Sequence, residues 1–431
     1  MFDILEKFNF WSRPPEALGL KRTKYLESLQ SFESTESMVV ITGARRSGKS
    51  TLAKQYIANL IERSVPPENI LFLSFFIRKL DLFKKEENFF KAIEFWDSKT
   101  QHDHRKYIII DEIQELESWD EIIASLIEDH TLNAKIVITG SNSKLLASEV
   151  TTKLSGRYYS LDVYPFSYME FCDIRSLDRT SMESFKKFLH SPSSPEISKI
   201  DSEEARNNLI EGIVLSTVQK DIIERYNPPN PAMLSQIVEF TRLNSSNIFN
   251  LKSVANTLSC NRKKAESINP STVEKYASYL QAVYFIHQCE VYSYRKKDIL
   301  NRANRKFYLN DHGFALFNNG FEKGRVLENI IFLELIKHGF EVKTYLAYKN
   351  ENLEIDFLAT KKNRRLFVQV TWVLASKSES PSLWKREVEN LQQVKETGEK
   401  IIVCMEPPQE FAGDIKILSP VEFIESLSTD V

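Results

Sequence analysis

The first 150 residues alternate between short apolar runs and longer segments in which apolar residues recur at helical spacing. Four runs rich in β-branched or aliphatic residues predict buried strands, at 38–42, 70–75, 107–110 and 135–139. Between or after these strands, apolar residues recur at helical spacing and predict helices at 52–61, 87–100 and 118–129. Strands that alternate with helices predict a parallel sheet with helices on both faces, which is a three-layer α/β fold.

A glycine-containing loop follows the first strand. Residues 38–51 read MVVITGARRSGKST, and a helical pattern begins directly after them. Backbone N–H groups of such a loop, with the positive end of the next helix, cradle the α- and β-phosphates of a nucleotide. Lys49 is expected to reach the β- and γ-phosphates, and the Ser50 hydroxyl to ligate Mg²⁺. The predicted nucleotide-binding residues of this loop are Gly43, Ala44, Arg45, Arg46, Ser47, Gly48, Lys49, Ser50 and Thr51.

Two acidic residues follow the predicted strand 107–110, in the run KYIIIDEIQ. Asp111 and Glu112 are expected at the carboxyl edge of the sheet, where α/β folds bind ligands. There Asp111 would hold Mg²⁺ and Glu112 would activate the attacking water. Acidic pairs after a strand also serve as helix caps, and the upstream phosphate loop favours the catalytic interpretation.

The strand at 135–139 ends in Gly140, Ser141 and Asn142. The hydroxyl of Ser141 or the amide of Asn142 would sense the γ-phosphate from the same sheet edge. The alternative is an ordinary turn capped by these side chains.

The pattern changes after residue 171. Residues 190–204, HSPSSPEISKIDSEE, predict a linker or exposed insertion. Helical spacing resumes at 209–226 and 231–243, which we interpret as a helical lid on the nucleotide-binding domain.

Residues 250–283 give two helical segments joined by a basic connector, and two strand-like segments, YFIHQCEVYSY and RKFYLN, follow. This order predicts a winged helix.

Between Tyr292 and Arg325 the sequence has eight basic residues and three acidic ones, a local charge of 8 − 3 = +5. Such a face neutralises DNA phosphates without reading bases. The alternative is a winged helix that only packs against protein. The eight are Arg295, Lys296, Lys297, Arg302, Arg305, Lys306, Lys323 and Arg325.

Composition limits the remaining classes of function. Lys and Arg number 57 against 59 Asp and Glu, so the formal charge of −2 attracts the whole molecule neither to nucleic acid nor to an acidic membrane. The four cysteines are widely spaced and form no zinc motif. The amino terminus lacks the pattern of a signal peptide and no apolar run approaches 18 residues, so we expect a cytoplasmic protein without a membrane partner.

Several motifs together resemble the prokaryotic AAA-type ATPases whose carboxyl half is a domain of unknown function related to PD-(D/E)xK nucleases. The matching pieces are ITGARRSGKST, YIIIDEIQELESW, ITGSNSKLL, SGRYYSLDVYPFSYMEF, GRVLENIIFLEL and LEIDFLA. The resemblance implies ATP and Mg as cofactors. It also implies that Arg157 contacts phosphate, either in its own subunit or in a neighbour's, and the second case requires a homo-oligomer. A salt-bridged surface arginine is the alternative.

The same resemblance implies a restriction-endonuclease-like α/β domain at the carboxyl end. Glu328 and Asp356 match its two metal-binding acids, and Glu354 lies on the same strand face as Asp356. The third position carries Gln369, which completes a possible second metal site, but Thr371 stands where the family has lysine. Cleavage is therefore in doubt, although Lys343, Lys349 or Lys361 would be spatial substitutes. Lys385 and Arg386 are either phosphate contacts or solvated charges.

We therefore expect four domains: an AAA-type P-loop domain at 1–171, a helical lid and insertion at 172–245, a winged helix at 246–325 and a nuclease-like domain at 326–431. The expected function is Mg-dependent ATP hydrolysis, with Lys49, Glu112 and Arg157 as catalytic residues, acting on or regulated by DNA. The alternatives are an ATP-gated switch that binds a protein partner and a metal-dependent nuclease.

Overall fold

A computed structural model describes most of the chain, namely residues 2–129, 131–141, 157–259, 268–292, 304–315, 323–346, 354–374, 378–407 and 413–428. Two structural units are present. Unit 1 contains Met1–Tyr164 with Ala282–Tyr284, and unit 2 contains Pro165–Gln281 with Phe285–Val431.

Unit 1 is built around a parallel sheet of five strands in the order β2-β3-β4-β1-β5. The strands are β1 Met38–Thr42, β2 Ile70–Ser74, β3 Lys106–Asp111, β4 Ala134–Gly140 and β5 Tyr158–Asp162. The helices are α1 Phe2–Phe8, α2 Thr23–Ser31, α3 Lys49–Glu62, α4 Glu86–Asp97 and α5 Trp119–Glu128. The parallel α/β sheet that the apolar runs predict is thus confirmed.

Alternating side chains of the strands bury both faces of this sheet. Val40 and Ile110 pack in one apolar cluster with residues of α4 and α5. Ile41 and Ile109 point to the other face and pack with residues of α2 and α3. Because side chains alternate along a strand, two-sided burial explains the continuous apolar runs and gives three layers.

Unit 2 has a mixed sheet of eight strands in the order β13-β12-β11-β10-β9-β7-β8-β6. The strands are β6 Ile248–Asn250, β7 Ile286–Tyr292, β8 Asn304–Leu309, β9 Glu341–Leu346, β10 Glu354–Lys361, β11 Arg364–Thr371, β12 Glu399–Cys404 and β13 Ile415–Leu418. The helices before β8 are α6 Tyr168–Arg175, α7 Met182–Leu189, α8 Glu203–Ser216 with the π-helical Thr217–Ile223, α9 Glu224–Tyr226, α10 Pro231–Leu243, α11 Leu251–Ser259 and α12 Pro270–Ala282. Those after it are α13 Lys323–Lys337, α14 Pro381–Trp384 with the π-helical Lys385–Glu389, α15 Asn390–Gln392 and α16 Pro420–Ser428.

The eight-stranded sheet crosses the boundary that the sequence suggests at 325/326. β7 pairs antiparallel with β8 on one side and parallel with β9 on the other. The segments 246–325 and 326–431 therefore share one sheet. The division of the chain into four domains stays a prediction about sequence segments.

Residues 190–204 are not an exposed linker, so that expectation is wrong for the segment's core. Ser193 and Ser194 are buried, and each donates a backbone N–H and a hydroxyl to the buried carboxylate of Asp311, at 2.8–3.0 Å. Ile197 is also fully buried. The two serines contact a residue that lies 117–118 positions later in the chain, and the local composition gives no sign of such a contact.

Across the described ranges, each helix lacks either the length or the apolar character that a bilayer crossing requires.

Candidate nucleotide site and an acidic cavity

The loop at 43–48 connects β1 to α3 and needs glycine at both ends. Gly43 has φ +147° and Gly48 has φ +99°, values that residues with a Cβ rarely adopt. A Cβ on Gly43 would lie 2.3 Å from the carbonyl oxygen of Val163. The backbone of this loop therefore requires glycine at positions 43 and 48.

Lys49 is the first residue of α3 and is almost completely buried, with 4% of its surface exposed. Its Nζ donates to the carbonyl oxygens of Gly43 at 3.0 Å and Ala44 at 2.8 Å. The ammonium is thus held inside the curve of the loop, at the positive end of a 14-residue helix. A phosphate in that curve would meet the ammonium and the helix end together.

Arg22 supports the loop from outside, and no sequence motif identifies this residue. Its Nη1 donates to the carbonyl oxygens of Ser47 at 3.2 Å and Tyr164 at 2.8 Å. The guanidinium lies 4.4 Å from the centre of the Tyr25 ring. The buried Arg22 side chain therefore links the phosphate loop, through hydrogen bonds, to the residues that follow β5.

Asp111 lies at the carboxyl end of β3, where three hydroxyl groups converge on its carboxylate. Its Oδ1 accepts from Ser50 at 2.8 Å and from Thr139 at 2.7 Å, and its Oδ2 accepts from Ser74 at 2.9 Å. Sequence reasoning placed Ser50 and Asp111 together but missed Ser74 and Thr139. Hydroxyl and carboxylate oxygens are the donor chemistry that Mg²⁺ prefers, so this set fits the ion.

Glu112 follows at once, in the left-handed conformation with φ +58°. Its backbone N–H donates to Thr139 Oγ1 at 3.0 Å, and its carboxylate accepts from the side-chain amide of Gln114. Thr139 therefore bridges the two acids of the pair. This arrangement holds Glu112 at the sheet edge that also carries the phosphate loop.

The structure describes most of the remaining predicted nucleotide-binding residues of unit 1. Ser141 is buried directly after β4, at the same sheet edge. Thr51, Arg45 and Arg46 belong to the loop and first turn of α3, with Arg46 and Thr51 exposed. Asn142 lies outside the described residues.

Arg157 lies at the opposite edge of the sheet from the phosphate loop. Its carbonyl accepts from Met38 at the start of β1, whereas the loop follows the end of that strand. Five strand residues separate the two edges by about 16 Å. The guanidinium is exposed and lies 2.6 Å from Glu128 Oε1. The structure does not bring Arg157 to the loop of its own chain.

Unit 2 contains a cavity of about 1020 Å³ where the predicted nuclease-like acids meet. Glu328 comes from α13, Asp356 from β10 and Gln369 from the adjacent β11, and all three line this cavity. Among the described residues of its wall, four carboxylates stand against two cations, a formal charge of 2 − 4 = −2. The six charged residues are Glu328, Glu354, Asp356, Glu387, Lys306 and Arg386.

Lys306 of β8 lies at the centre of these acids. Its Nζ is 3.1 Å from Glu328, 3.0 Å from Glu354 and 3.0 Å from Asp356. Burial lowers the pKa of Lys306, but the three carboxylates outweigh burial and raise it well above its ordinary value. Lys306, which sequence analysis assigned to DNA binding, is therefore a buried positive charge beside Asp356.

The acids themselves are engaged by donors of the same chain. Glu328 Oε1 also accepts from the Tyr308 hydroxyl at 2.7 Å, and Asp356 Oδ2 accepts from the Val370 N–H at 3.0 Å. Burial, and after it the neighbouring Asp356, raises the pKa of Glu328 to about 7. In this arrangement no three His, Cys, Asp or Glu residues of the described part of the chain are grouped to hold a metal ion.

Two of the eight residues in the predicted basic face of 292–325 are buried. Arg305 is buried and donates to Gln288 and Glu274, and Lys306 is buried among the acids. For these two residues the DNA-contact prediction is wrong, because β8 turns them into the interior. Lys323 and Arg325 are exposed and half-buried, respectively. The other four, Arg295, Lys296, Lys297 and Arg302, lie outside the described residues.

Comparison with known proteins agrees with the fold of unit 1. Residues 35–172 match the family described as AAA domain, and residues 182–323 match a domain of unknown function, DUF8612. Among solved structures, the Orc1 protein of Aeropyrum pernix in complex with DNA is 12% identical, with a TM-score of 0.32 over 72% of this chain and 95% of that chain.

Two relatives are similar over longer stretches of sequence. An uncharacterized protein of Methanocaldococcus jannaschii, MJ1544, is 30% identical over 282 residues, which are 62% of each chain. An uncharacterized protein of Haemophilus influenzae is 31% identical over 390 residues, which cover 89% of this chain and 93% of that protein. The chain belongs to the same family as this Haemophilus influenzae protein, and unit 1 is an AAA-type P-loop ATPase domain.

Proposed function

We propose that the chain hydrolyses ATP with Mg²⁺ and that DNA is its substrate or its regulator. The observation that carries the hydrolytic part is the convergence at one sheet edge of the Lys49 ammonium, the Ser50–Asp111 hydrogen bond and Glu112. In this proposal Lys49 binds phosphate, Ser50 and Asp111 hold Mg²⁺, and Glu112 takes the proton of the attacking water. When bound, the ion would neutralise charge that develops on the phosphates.

The DNA part is supported by the order of elements from α10 to β8. Helix, strand, two helices and two strands follow one another, and β6 and β7 both pair antiparallel with β8. A helical pair beside a small antiparallel sheet is typical of winged helices. The adjacent lysines Lys296 and Lys297 are proposed to contact phosphate.

Two further parts belong to the same proposal. Because Arg157 is exposed at the far sheet edge, we assign it to the nucleotide of a neighbouring subunit in a homo-oligomer. A cytoplasmic location is the other part.

The DNA proposal is tested by the rate of ATP hydrolysis with duplex DNA, single-stranded DNA and RNA over a range of salt concentrations. We expect DNA to raise turnover, and the stimulation to fall as salt rises because phosphate contacts release counterions. Replacing both Lys296 and Lys297 by alanine should reduce the stimulation, whereas the exposed pair Lys186 and Lys187 serves as a matched control. A rate that no nucleic acid changes would favour the ATP-gated switch with a protein partner.

A second candidate function applies to unit 2 alone, namely metal-dependent hydrolysis of nucleic acid. The specific observation in its favour is that Glu328, Asp356 and Gln369 line one cavity, from a helix and two neighbouring strands. Lys306 beside them supplies a positive charge near Asp356. Acids and a lysine beside a phosphodiester are the chemistry that such hydrolysis requires.

A further inference from the structure

The connection between α12 and β7 passes through unit 1. Ala282, at the end of α12, belongs to unit 1 together with Val283 and Tyr284, whereas the rest of α12 and all of β7 belong to unit 2. The Tyr284 hydroxyl donates to Asp162 Oδ1 at 2.8 Å, at the carboxyl end of β5. A short segment of unit 1 is therefore covalently continuous, on both sides, with elements of unit 2.

Tyr284 occupies a backbone position that favours glycine. It lies in the left-handed region with φ +56°, and the N–H of Phe285 donates to the carbonyl oxygen of Leu280 at 2.9 Å. This hydrogen bond is typical of helices that end with a left-handed residue, which is usually glycine. Among the described residues, three other helices end with the same bond, and their left-handed residues are Ser64, Ser176 and Gly339. A large side chain at this position therefore indicates that the side chain itself has a role.

One oxygen of Asp162 joins this tyrosine to the phosphate loop. Besides the phenol, Asp162 Oδ1 accepts from the hydroxyl of Thr42 at 2.5 Å. Thr42 ends β1, is buried, and directly precedes Gly43, the first residue of the loop. Partial burial, and after it the charge of Asp162, raises the pKa of Tyr284, so the phenol keeps its proton and remains a donor. Two hydrogen bonds to one carboxylate oxygen thus connect Tyr284 with the start of the loop.

The residues around Asp162 also pack tightly against the loop. The N–H of Val163 donates to the Thr42 carbonyl at 2.7 Å, and a Cβ on Gly43 would lie 2.3 Å from the Val163 carbonyl oxygen. A shift of Thr42 and Gly43 therefore moves Asp162 and Val163 as well. Such a shift is expected on nucleotide binding, because the Lys49 ammonium that lies on the Gly43 carbonyl would exchange it for phosphate oxygens.

We propose that Thr42, Asp162 and Tyr284 form a relay that couples nucleotide in the phosphate loop to the connection between α12 and β7. The relay rests on the proposed function for the nucleotide that occupies the loop. Coupling of this kind is reciprocal, so a partner that binds the connection changes nucleotide affinity by the same factor as nucleotide changes the affinity for that partner. The relay therefore gives the nucleotide site a route to elements that the proposed function assigns to DNA.

The test is hydrogen–deuterium exchange of the full chain, measured by mass spectrometry with Mg²⁺, in the presence and absence of a saturating non-hydrolysable ATP analogue. Exchange at residues 280–286 reports on the end of α12, because the Phe285 N–H leaves its bond to Leu280 only when that turn opens. In the wild type we expect the analogue to change this exchange rate at least about fivefold, the lower end of the usual coupling between two sites. Tyr284→Phe lacks the hydroxyl and should lose this response, while the analogue still protects residues 43–50.

Two further variants show whether the hydroxyl acts through the relay. Tyr279→Phe removes a tyrosine hydroxyl from α12 and keeps the ring that stacks on Tyr226. It should respond to the analogue like the wild type. Thr42→Val removes the donor on the side of the loop and should lose the response as Tyr284→Phe does. The double variant should then show no greater loss than either single variant, because both substitutions interrupt one route.

An unchanged response at residues 280–286 in a folded Tyr284→Phe variant would overturn the proposal. Independent, additive losses in the double variant would also overturn it. Thermal unfolding shows whether each variant folds. If Tyr284→Phe does not fold, Thr42→Val decides, and a response like that of Tyr279→Phe would reject the relay.

The wild type separates failure of the relay from failure of the nucleotide site. If the analogue protects residues 43–50 without any change at 280–286, the relay alone is rejected. If the analogue protects no part of residues 43–50, the nucleotide site is rejected, and the relay that depends on it is rejected with it.

Discussion

Replacement of Lys49 by alanine is expected to abolish ATP hydrolysis. The lysine is buried at the start of α3, and its ammonium lies inside the phosphate loop on the carbonyl oxygens of Gly43 and Ala44. On nucleotide binding it would exchange these carbonyl groups for phosphate oxygens, whose charge increases towards the transition state. Loss of one such preorganised donor typically costs about 10²–10³ in kcat.

The measurement for Lys49→Ala is steady-state phosphate release with Mg-ATP, beside thermal unfolding to show that the variant folds. Lys54→Ala is a matched control, because it removes the same charge from the same helix five residues later. It should retain most of the wild-type rate. Wild-type turnover by Lys49→Ala would show that hydrolysis occurs elsewhere or does not use this lysine.

Replacement of Glu112 by glutamine is expected to stop turnover while ATP binding persists. Glutamine has nearly the same size and keeps the backbone N–H that donates to Thr139. Its amide cannot accept the proton of the attacking water, and loss of a general base costs about 10²–10⁴ in rate. Glu112 is not part of the phosphate loop, so the affinity for ATP should change little.

For Glu112→Gln, fluorescent-nucleotide binding and phosphate release are measured on the same preparation. Glu117→Gln is the control, since Glu117 is exposed and lies five residues further along the same connection. Full turnover by Glu112→Gln would remove Glu112 from the mechanism. A parallel loss of binding and turnover would point to a structural role instead.

The central strands and the phosphate loop of unit 1 could be predicted because the residues that indicate them are adjacent in the sequence. Apolar runs that end in a glycine loop or an acidic pair predict strands and the residues at their carboxyl ends, and β1 to β4 agree. β5 was missed because its sequence, YYSLD, is only partly buried at the edge of the sheet. An edge strand lacks the continuous apolar run of a central one.

Residues that act through the register of neighbouring strands were not predictable. Ser74 meets Asp111 because these two residues are partners in the parallel pairing of β2 and β3. Thr139 approaches from the other side, on β4. A single serine or threonine at a strand end gives no signal until the order of strands is known.

Lys306 shows the same limit more clearly. Its sequence neighbourhood, RKFYLN, indicated a basic wing for DNA. The structure joins β8, through β7, to β9 and β10, so that the lysine reaches Asp356, 50 residues later. A count of charges along the sequence cannot distinguish a solvated basic face from a buried cluster of ion pairs. The order of strands in the sheet decides which of the two forms.

The most direct test of the central claim is a crystal structure of the chain with Mg²⁺ and a non-hydrolysable ATP analogue. We expect the triphosphate to lie against the backbone amides of residues 43–50, with Lys49 on the γ-phosphate and the ion between Ser50 and Asp111. An analogue bound at another place, or a loop that stays without nucleotide at saturating concentration, would contradict the account.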